Sequence, residues 1–272
     1  MSTYVITGAS RGLGFEFVRQ TSEDPNNIVI GLVRDKIATE KKVETEFGGR
    51  GNVHILNGDL ASYASLKQAA AETAKIVGDR GIDYLVASGG YLPHLDSFCP
   101  IGDLADKVEE LERVLTDLNH TNIIGNIHLY NLFLPLVLKG SVKKVITLTS
   151  GHADLELINN YDIEVSALYS AFKAALNVIV AKYSAQYKKN GVLFVSISPG
   201  VVDVGALDNV TPEQLQGLKG FMEAMSKYAP NFKGFTPVDE AGRVNIATWK
   251  RISIQEGYGG AFVSHLGNKQ WV

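Results

Sequence analysis

Tyr169 and Lys173 stand four residues apart in Tyr169-Ser-Ala-Phe-Lys173, a spacing that puts both on one face of a helix. An ammonium beside a phenol stabilises phenolate. The lysine is therefore expected to lower the tyrosine pKa from about 10 by on the order of 1–3 units. A phenol tuned in this way can give a proton to a developing alkoxide or take one from an alcohol. Tyr63 and Lys67 share the spacing and read as an ordinary helix pair, so context must separate the two.

A second chemical signal opens the chain. Thr7-Gly-Ala-Ser-Arg-Gly-Leu-Gly14 lies between a short apolar run and an amphipathic one. Gly8, Gly12 and Gly14 leave out Cβ atoms where backbone must turn tightly and approach an anion. The helix that follows presents N-terminal amides to a pyrophosphate, and Ser10, Arg11 and Leu13 lie in the same cradle.

At this point the sequence resembles the short-chain dehydrogenase/reductase family, most of all its small carbonyl-reductase-like members. The family's TGxxxGxG loop matches Thr7 to Gly14. Its YxxSKAAL stretch is similar to Tyr169-Ser-Ala-Phe-Lys-Ala-Ala-Leu, with Phe172 where serine is usual. The resemblance runs over nearly the whole chain. It implies that Lys173 also holds the nicotinamide ribose and that Ser150 hydrogen-bonds the substrate oxygen, with Thr149 as the competing candidate. It implies too that the Asn122 carbonyl positions a water joined to the lysine. Asn122-Ile-Ile-Gly125 followed by Pro135 has the family's spacing, whereas Asn119 and Asn126 do not. Asp59 and Leu60 are implied at the adenine, although Asp59 also reads as a helix-capping acid. Ser88, Gly89, Pro199, Gly200 and Val202 complete the implied cofactor contacts.

The nucleotide follows from charge. An acid at the end of the second strand would accept a bond from the NAD ribose and repel a 2′-phosphate. Here that place holds Val33, followed by Arg34 and Asp35. Two guanidinium groups, Arg11 and Arg34, suit a phosphate, so NADP(H) is expected. Asp35 is the counter-argument.

Departures from the family pattern are specific. Ala87-Ser-Gly-Gly90 replaces the usual Asn-Asn-Ala-Gly, and Val204 stands where a carboxamide-binding threonine is common. The gap from Ser150 to Tyr169 is long, which predicts an insertion at Asp154–Ile163 beside the site.

The elements that must position these groups are legible as alternating patterns. Short apolar runs at Thr3–Thr7, Ile28–Val33, Val53–Leu56, Tyr84–Ala87, Val145–Thr149 and Val192–Ser198 predict strands of a parallel sheet covered on both faces. Gly259 to Val263 predicts a last edge strand. Helical spacing fills the intervals at Ser62–Val77, at Val108–Lys139 as one or two helices, and at Leu168–Tyr187. The expected fold is α/β, a doubly wound Rossmann sheet with helices on both faces. It forms a single domain over 1–272, with residues 200–237 as a substrate lid.

Composition narrows the rest. A net charge of −3 offers no footprint for nucleic acid. One cysteine, Cys99, rules out an internal disulfide, and the six histidines lack metal-ligand spacing. The apolar stretch Leu129–Leu138 is too short to span a bilayer. With no targeting signal, a cytoplasmic setting without membrane contact is expected. Apolar helices around Ile123–Leu138 and Ala171–Tyr183 predict a homodimer or homotetramer. Tyr91, Leu92, Phe98, His152, Leu207, Phe221, Met222, Met225 and Phe232 suggest an apolar pocket for a small ketone or aldehyde, reduced to an alcohol or formed from one. A non-enzymatic NADP(H) sensor or scaffold on the same fold is the alternative.

Overall fold

The computed structural model describes residues 1–205 and 210–272. Leu207, one of the expected pocket residues, lies outside them. The chain alternates strand and helix: β1 Thr3–Thr7, α1 Gly12–Thr21, β2 Ile28–Val33, α2 Lys36–Phe47, β3 Val53–Asn57, α3 Tyr63–Val77 and β4 Tyr84–Ala87. It continues with α4 Val108–Leu118, α5 Gly125–Lys139, β5 Lys144–Leu148, α6 Leu155–Tyr161, α7 Ala167–Tyr187 and β6 Leu193–Ser198. It ends with α8 Pro212–Tyr228, α9 Val238–Arg251 and β7 Phe262–Ser264.

The seven strands form one sheet in the order β3-β2-β1-β4-β5-β6-β7, and every pairing is parallel. Strand order reverses between β1 and β4, which opens a crevice at the carboxyl ends where ligands of such sheets bind. Val, Ile and Leu fill both faces. One core packs β-sheet residues such as Ile6 and Val86 against α1 and α9, with Phe17 edge-on to Trp249 at 4.7 Å. The other packs Val5, Leu85 and Phe194 against α3, α5 and α7.

Residues 108–139 form one continuous helical rod, with a six-residue π-turn at Asn119–Ile124 between α4 and α5. By length and composition it could cross a membrane, which the shorter stretch read from sequence could not, but half of its most apolar window is buried. Tyr130, Phe133 and Val137 spend that apolarity on the sheet.

The predicted insertion is helix α6. Together with α8 and the C-terminus it builds a satellite core of Leu157, Val165, Phe221, Met225 and Trp271 beside the carboxyl edge. Both ends of the 200–237 excursion meet at its base, where the Thr236 amide donates to the Val201 carbonyl and Val202 bridges Thr236.

Candidate active site

The glycine loop leaves β1 and enters α1 with Gly8 at φ +68° and Gly12 at φ +55°, the left-handed region that glycine adopts without strain. A Cβ on Gly8 would stand 2.7 Å from Gly89 Cα, so only glycine lets the β1 and β4 loops touch. The Gly89 amide donates to Thr7 Oγ1 at 2.9 Å.

Helix α1 begins without a side-chain cap at Arg11, and its first turn holds no acid. Its amides and positive dipole end are left for an anion. Ser10 and Arg11 are exposed beside them, while Leu13 and Gly14 are buried. The ends of three strands converge here: the Ala9 amide donates to the Leu32 carbonyl, and the Gly58 amide to the Val33 carbonyl. Arg34 and the Asp59-Leu60 pair therefore flank the loop. Arg11 and Arg34 are exposed and make no ion pair among the described residues. Asp35 instead caps α2, accepting from the Ala38 amide at 3.0 Å, so the counter-argument to a 2′-phosphate is occupied elsewhere. Asp59 accepts from the Ala61 amide in the turn before α3, whose capping residue is Ser62. These residues fit a dinucleotide.

Asn122 lies in the π-turn, 1% exposed. Its Oδ1 accepts from the Tyr91 amide at 2.7 Å and its Nδ2 donates to the Tyr91 carbonyl at 2.9 Å. Its own carbonyl accepts from Asn126 Nδ2 at 2.8 Å. Asn126, read from sequence as lacking the right spacing, lies one turn on and is buried. Gly125 explains the Asn-x-x-Gly spacing, because any Cβ there would collide with the Leu60 carbonyl. Asn119 is exposed.

A Cβ on Gly90 would stand 3.2 Å from Asn122 Oδ1 and 3.8 Å from Lys173 Nζ. The β4 loop, the π-turn and α7 therefore meet at one point. Lys173 is buried and donates to the Leu148 carbonyl at 2.8 Å. It lies 5.4 Å from the centre of the Tyr169 ring, as the four-residue spacing requires.

The expected depression of the tyrosine pKa does not appear. Burial pushes the Tyr169 phenol above its ordinary value and pushes Lys173 down to about 8. Desolvation disfavours both charged forms and outweighs their mutual stabilisation. Tyr169 keeps only part of its side chain accessible. Tyr63, by contrast, is half exposed and packs edge-on to His128, away from this cluster.

Ser150 lies two residues past the end of β5. Its Oγ accepts from the His152 amide at 3.2 Å, and no hydrogen bond joins it to Tyr169 among the described residues. Thr149, the competing candidate, is buried with its hydroxyl unpartnered. Burial holds His152 neutral, with its pKa down at about 4, and its ring lies 5.1 Å from Phe221 of α8. Phe221 and Met225 are satellite-core residues more than open lining, Phe232 packs on the same core, and Leu92 is exposed.

Pro199, Gly200 and Val202 leave β6 at the same edge. Asn245 Nδ2 donates to the Pro199 carbonyl, and Gly200 lies over the His265 ring. Val204 leans toward Gly12. A cavity of about 430 Å³ between α2 and β3, lined by Lys36, Glu40, Arg50 and His54 among others, holds none of these groups. The convergence of side chains, not cavity size, locates the site.

Comparison with known proteins agrees with this geometry. The family described as short chain dehydrogenase matches residues 2–215. The short-chain dehydrogenase/reductase iacC of Pestalotiopsis fici is 65% identical over 272 residues, covering all of both chains. The short chain dehydrogenase virK of Hypocrea virens is 50% identical, also over all of both. NADPH-bound carbonyl reductase from chicken fatty liver shares the fold with a TM-score of 0.77 at 20% identity, covering 98% of each chain. Carbonyl reductase Sniffer of D. melanogaster does so with 0.77 at 21%, again over 98% of each. The chain belongs to the short-chain dehydrogenase/reductase family, oxidoreductases that work with a nicotinamide cofactor.

Proposed function

We propose that this protein is an NADP(H)-dependent carbonyl reductase that converts a small, apolar ketone or aldehyde to its alcohol, or the reverse, with Tyr169 as general acid/base. The observation that carries this reading is the meeting of Asn122, Lys173 and the β4 loop at Gly90, one helical turn from Tyr169. A sensor would need no such proton-transfer cluster.

The cofactor, when bound, supplies the hydride. Uncapped amides of α1 hold the pyrophosphate side, with Gly8, Ser10, Gly12, Leu13 and Gly14 around it. Arg11 and Arg34 take the 2′-phosphate. Asp59 and Leu60 border the adenine; Ser88, Gly89, Pro199, Gly200 and Val202 border the nicotinamide half. Lys173 has donors beyond the one given to Leu148, and these hold the ribose. Ser150 orients the substrate oxygen. Because burial keeps the Tyr169 phenol protonated at neutral pH, it is poised to donate as negative charge grows on that oxygen. The apolar satellite core excludes water from the substrate side.

NADPH oxidation against a panel of aromatic aldehydes, ketones and diketones tests this. Tyr169→Phe removes one hydroxyl and should lower turnover by roughly 10²–10⁴ while leaving NADPH binding intact. Tyr63→Phe should change nothing. Full activity in Tyr169→Phe would refute the mechanism, and a parent that binds NADPH yet reduces nothing would favour the sensor.

A further inference from the structure

Helix α7, which carries Tyr169 and Lys173, does not cap itself. Its N-cap residue Ser166 sits at φ +60°, a strained conformation for a residue other than glycine, and provides no side-chain cap. The cap comes from a distant segment. Asp96 Oδ2 accepts from the Leu168 amide at 2.7 Å, and the Asp96 carbonyl accepts from the Ser166 amide at 3.0 Å. Pro100 adds an antiparallel bridge to Val165. Asp96 is 1% exposed, and its second oxygen, Oδ1, has no partner. A carboxylate rarely tolerates such burial unless the bonds it does make matter.

The same segment carries α8. Gln214, in the first turn of α8, donates from Nε2 to the His94 carbonyl at 3.1 Å. Gly217 of α8 presses on the Phe98 carbonyl so closely that any Cβ would collide with it. Phe98 itself is held at φ +61°. Residues 94–100 are therefore clamped between the helix over the substrate side and the first turn of the helix that holds the proton donor.

We propose that Asp96 is a positioning residue for proton transfer: its carboxylate fixes the first turn of α7, and so Tyr169, to the segment on which α8 is seated. This rests on Tyr169 being the proton donor. A displacement of residues 94–98 at their contacts with α8 would therefore reach Asp96, and through it the backbone of Leu168 and its neighbour Tyr169. A small misplacement of the donor is enough to slow the reaction strongly.

Four variants test the assignment: Asp96→Ala, Asp96→Asn, Gly217→Ala and Tyr169→Phe. Each is measured by single-turnover hydride transfer from NADPH to the fastest carbonyl of the panel, by NADPH titration and by amide hydrogen exchange. Asp96→Ala should slow hydride transfer by about 10- to 10²-fold with unchanged NADPH affinity, while exchange quickens at Leu168 and Tyr169. Asp96→Asn keeps an oxygen acceptor and should restore most of the rate, since asparagine caps about as well as aspartate. Gly217→Ala should raise KM for the carbonyl and slow transfer with NADPH affinity unchanged. A folded Asp96→Ala with the parent's rate overturns the proposal, as does a loss shared equally by rate and NADPH affinity that Asp96→Asn does not repair. Should Asp96→Ala fail to fold, parent-like KM and rate in Gly217→Ala overturn it. Full activity in Tyr169→Phe would sink the reading of the donor itself, a distinct result.

Discussion

Lys173 Nζ donates to the carbonyl of Leu148 at 2.8 Å, so the lysine one turn beyond Tyr169 is bonded to the last residue of β5, two positions before Ser150. This bond ties the helix that carries Tyr169, the proposed proton donor, to the strand end that leads to Ser150. It also makes burial of the ammonium tolerable, since a charge-assisted bond offsets part of the desolvation. The remainder appears as the fall of its pKa to about 8.

That fall sets the pH behaviour. Below about 8 Lys173 is charged and the Tyr169 phenol is protonated, the state that the proposed mechanism needs for reducing a carbonyl. Reduction should therefore be flat in the neutral range and decline through a basic limb near 8 as the ammonium is lost. Lys173→Arg should abolish that limb at the cost of rate, because a guanidinium stays charged throughout. No limb should appear at the ordinary histidine position, since burial holds His152 neutral down to about 4. A profile of kcat/KM against pH checks both points. A parent limb at the ordinary lysine position would mean that the ammonium is not desolvated as described.

The proposed preference for NADP(H) rests on Arg11 and Arg34, two exposed cations that make no ion pair among the described residues. NADPH should bind at least about tenfold more tightly than NADH, which is roughly 1.4 kcal/mol. Arg34→Ala should remove most of the difference, whereas Asp35→Ala, which removes only the cap of α2, should lower stability by about 1 kcal/mol with little effect on preference. Fluorescence titration of both nucleotides decides it, and equal affinities in the parent would end the claim.

What the sequence revealed and what it hid differ by the range of the interaction. The first six strands were legible to within a residue at each end because a buried parallel strand is an unbroken apolar run, whereas the last, read from Gly259, begins only at Phe262. β5 begins one residue early, at Lys144, because a lysine there looked like a boundary when it is a buried cap for α9. The insertion at α6 was legible from spacing alone. The π-turn was not, since it changes the hydrogen bonding of residues 119–124 without altering their apolar pattern. The Tyr169–Lys173 pair was visible as a pair, but the sign of the tyrosine shift depends on burial. Asp96 gave no signal: its partner is an amide on a helix far along the chain.

Assembly is the next expectation. Ile124, the last residue of the π-turn, and Val178 of α7 remain exposed, at 36% and 59%. Outward apolar side chains on long helices favour a second copy over water. A homodimer or homotetramer should be found by light scattering at micromolar concentration, and Val178→Asp should shift it toward smaller species. A monomeric parent would count against this.

The last prediction concerns the support beneath the cofactor loop. Lys144, 8% exposed, donates to the carbonyls of Trp249, Lys250 and Ile252 at 2.9, 2.9 and 2.7 Å. These close the C-terminal end of α9, where orphan carbonyls and the negative dipole end favour a cation. Helix α9 in turn packs on α1: Trp249 meets Phe17, and Gln20 Nε2 donates to the Asp239 carbonyl. One lysine on β5 thus anchors the helix that backs α1, the helix proposed to hold the pyrophosphate. Lys144→Met keeps the aliphatic stem and removes the three bonds. It should lower stability by roughly 1–3 kcal/mol, with Tm falling about 2–4 °C per kcal/mol in a chain of this size. NADPH affinity should weaken less than stability does, because α1 keeps its own contacts with the sheet. Lys144→Arg should recover only part of the loss, as the planar guanidinium cannot reach three convergent carbonyls as an ammonium can. Thermal melts of the three proteins settle the point; a Lys144→Met melt that superimposes on the parent would show that water replaces the ammonium at the end of α9.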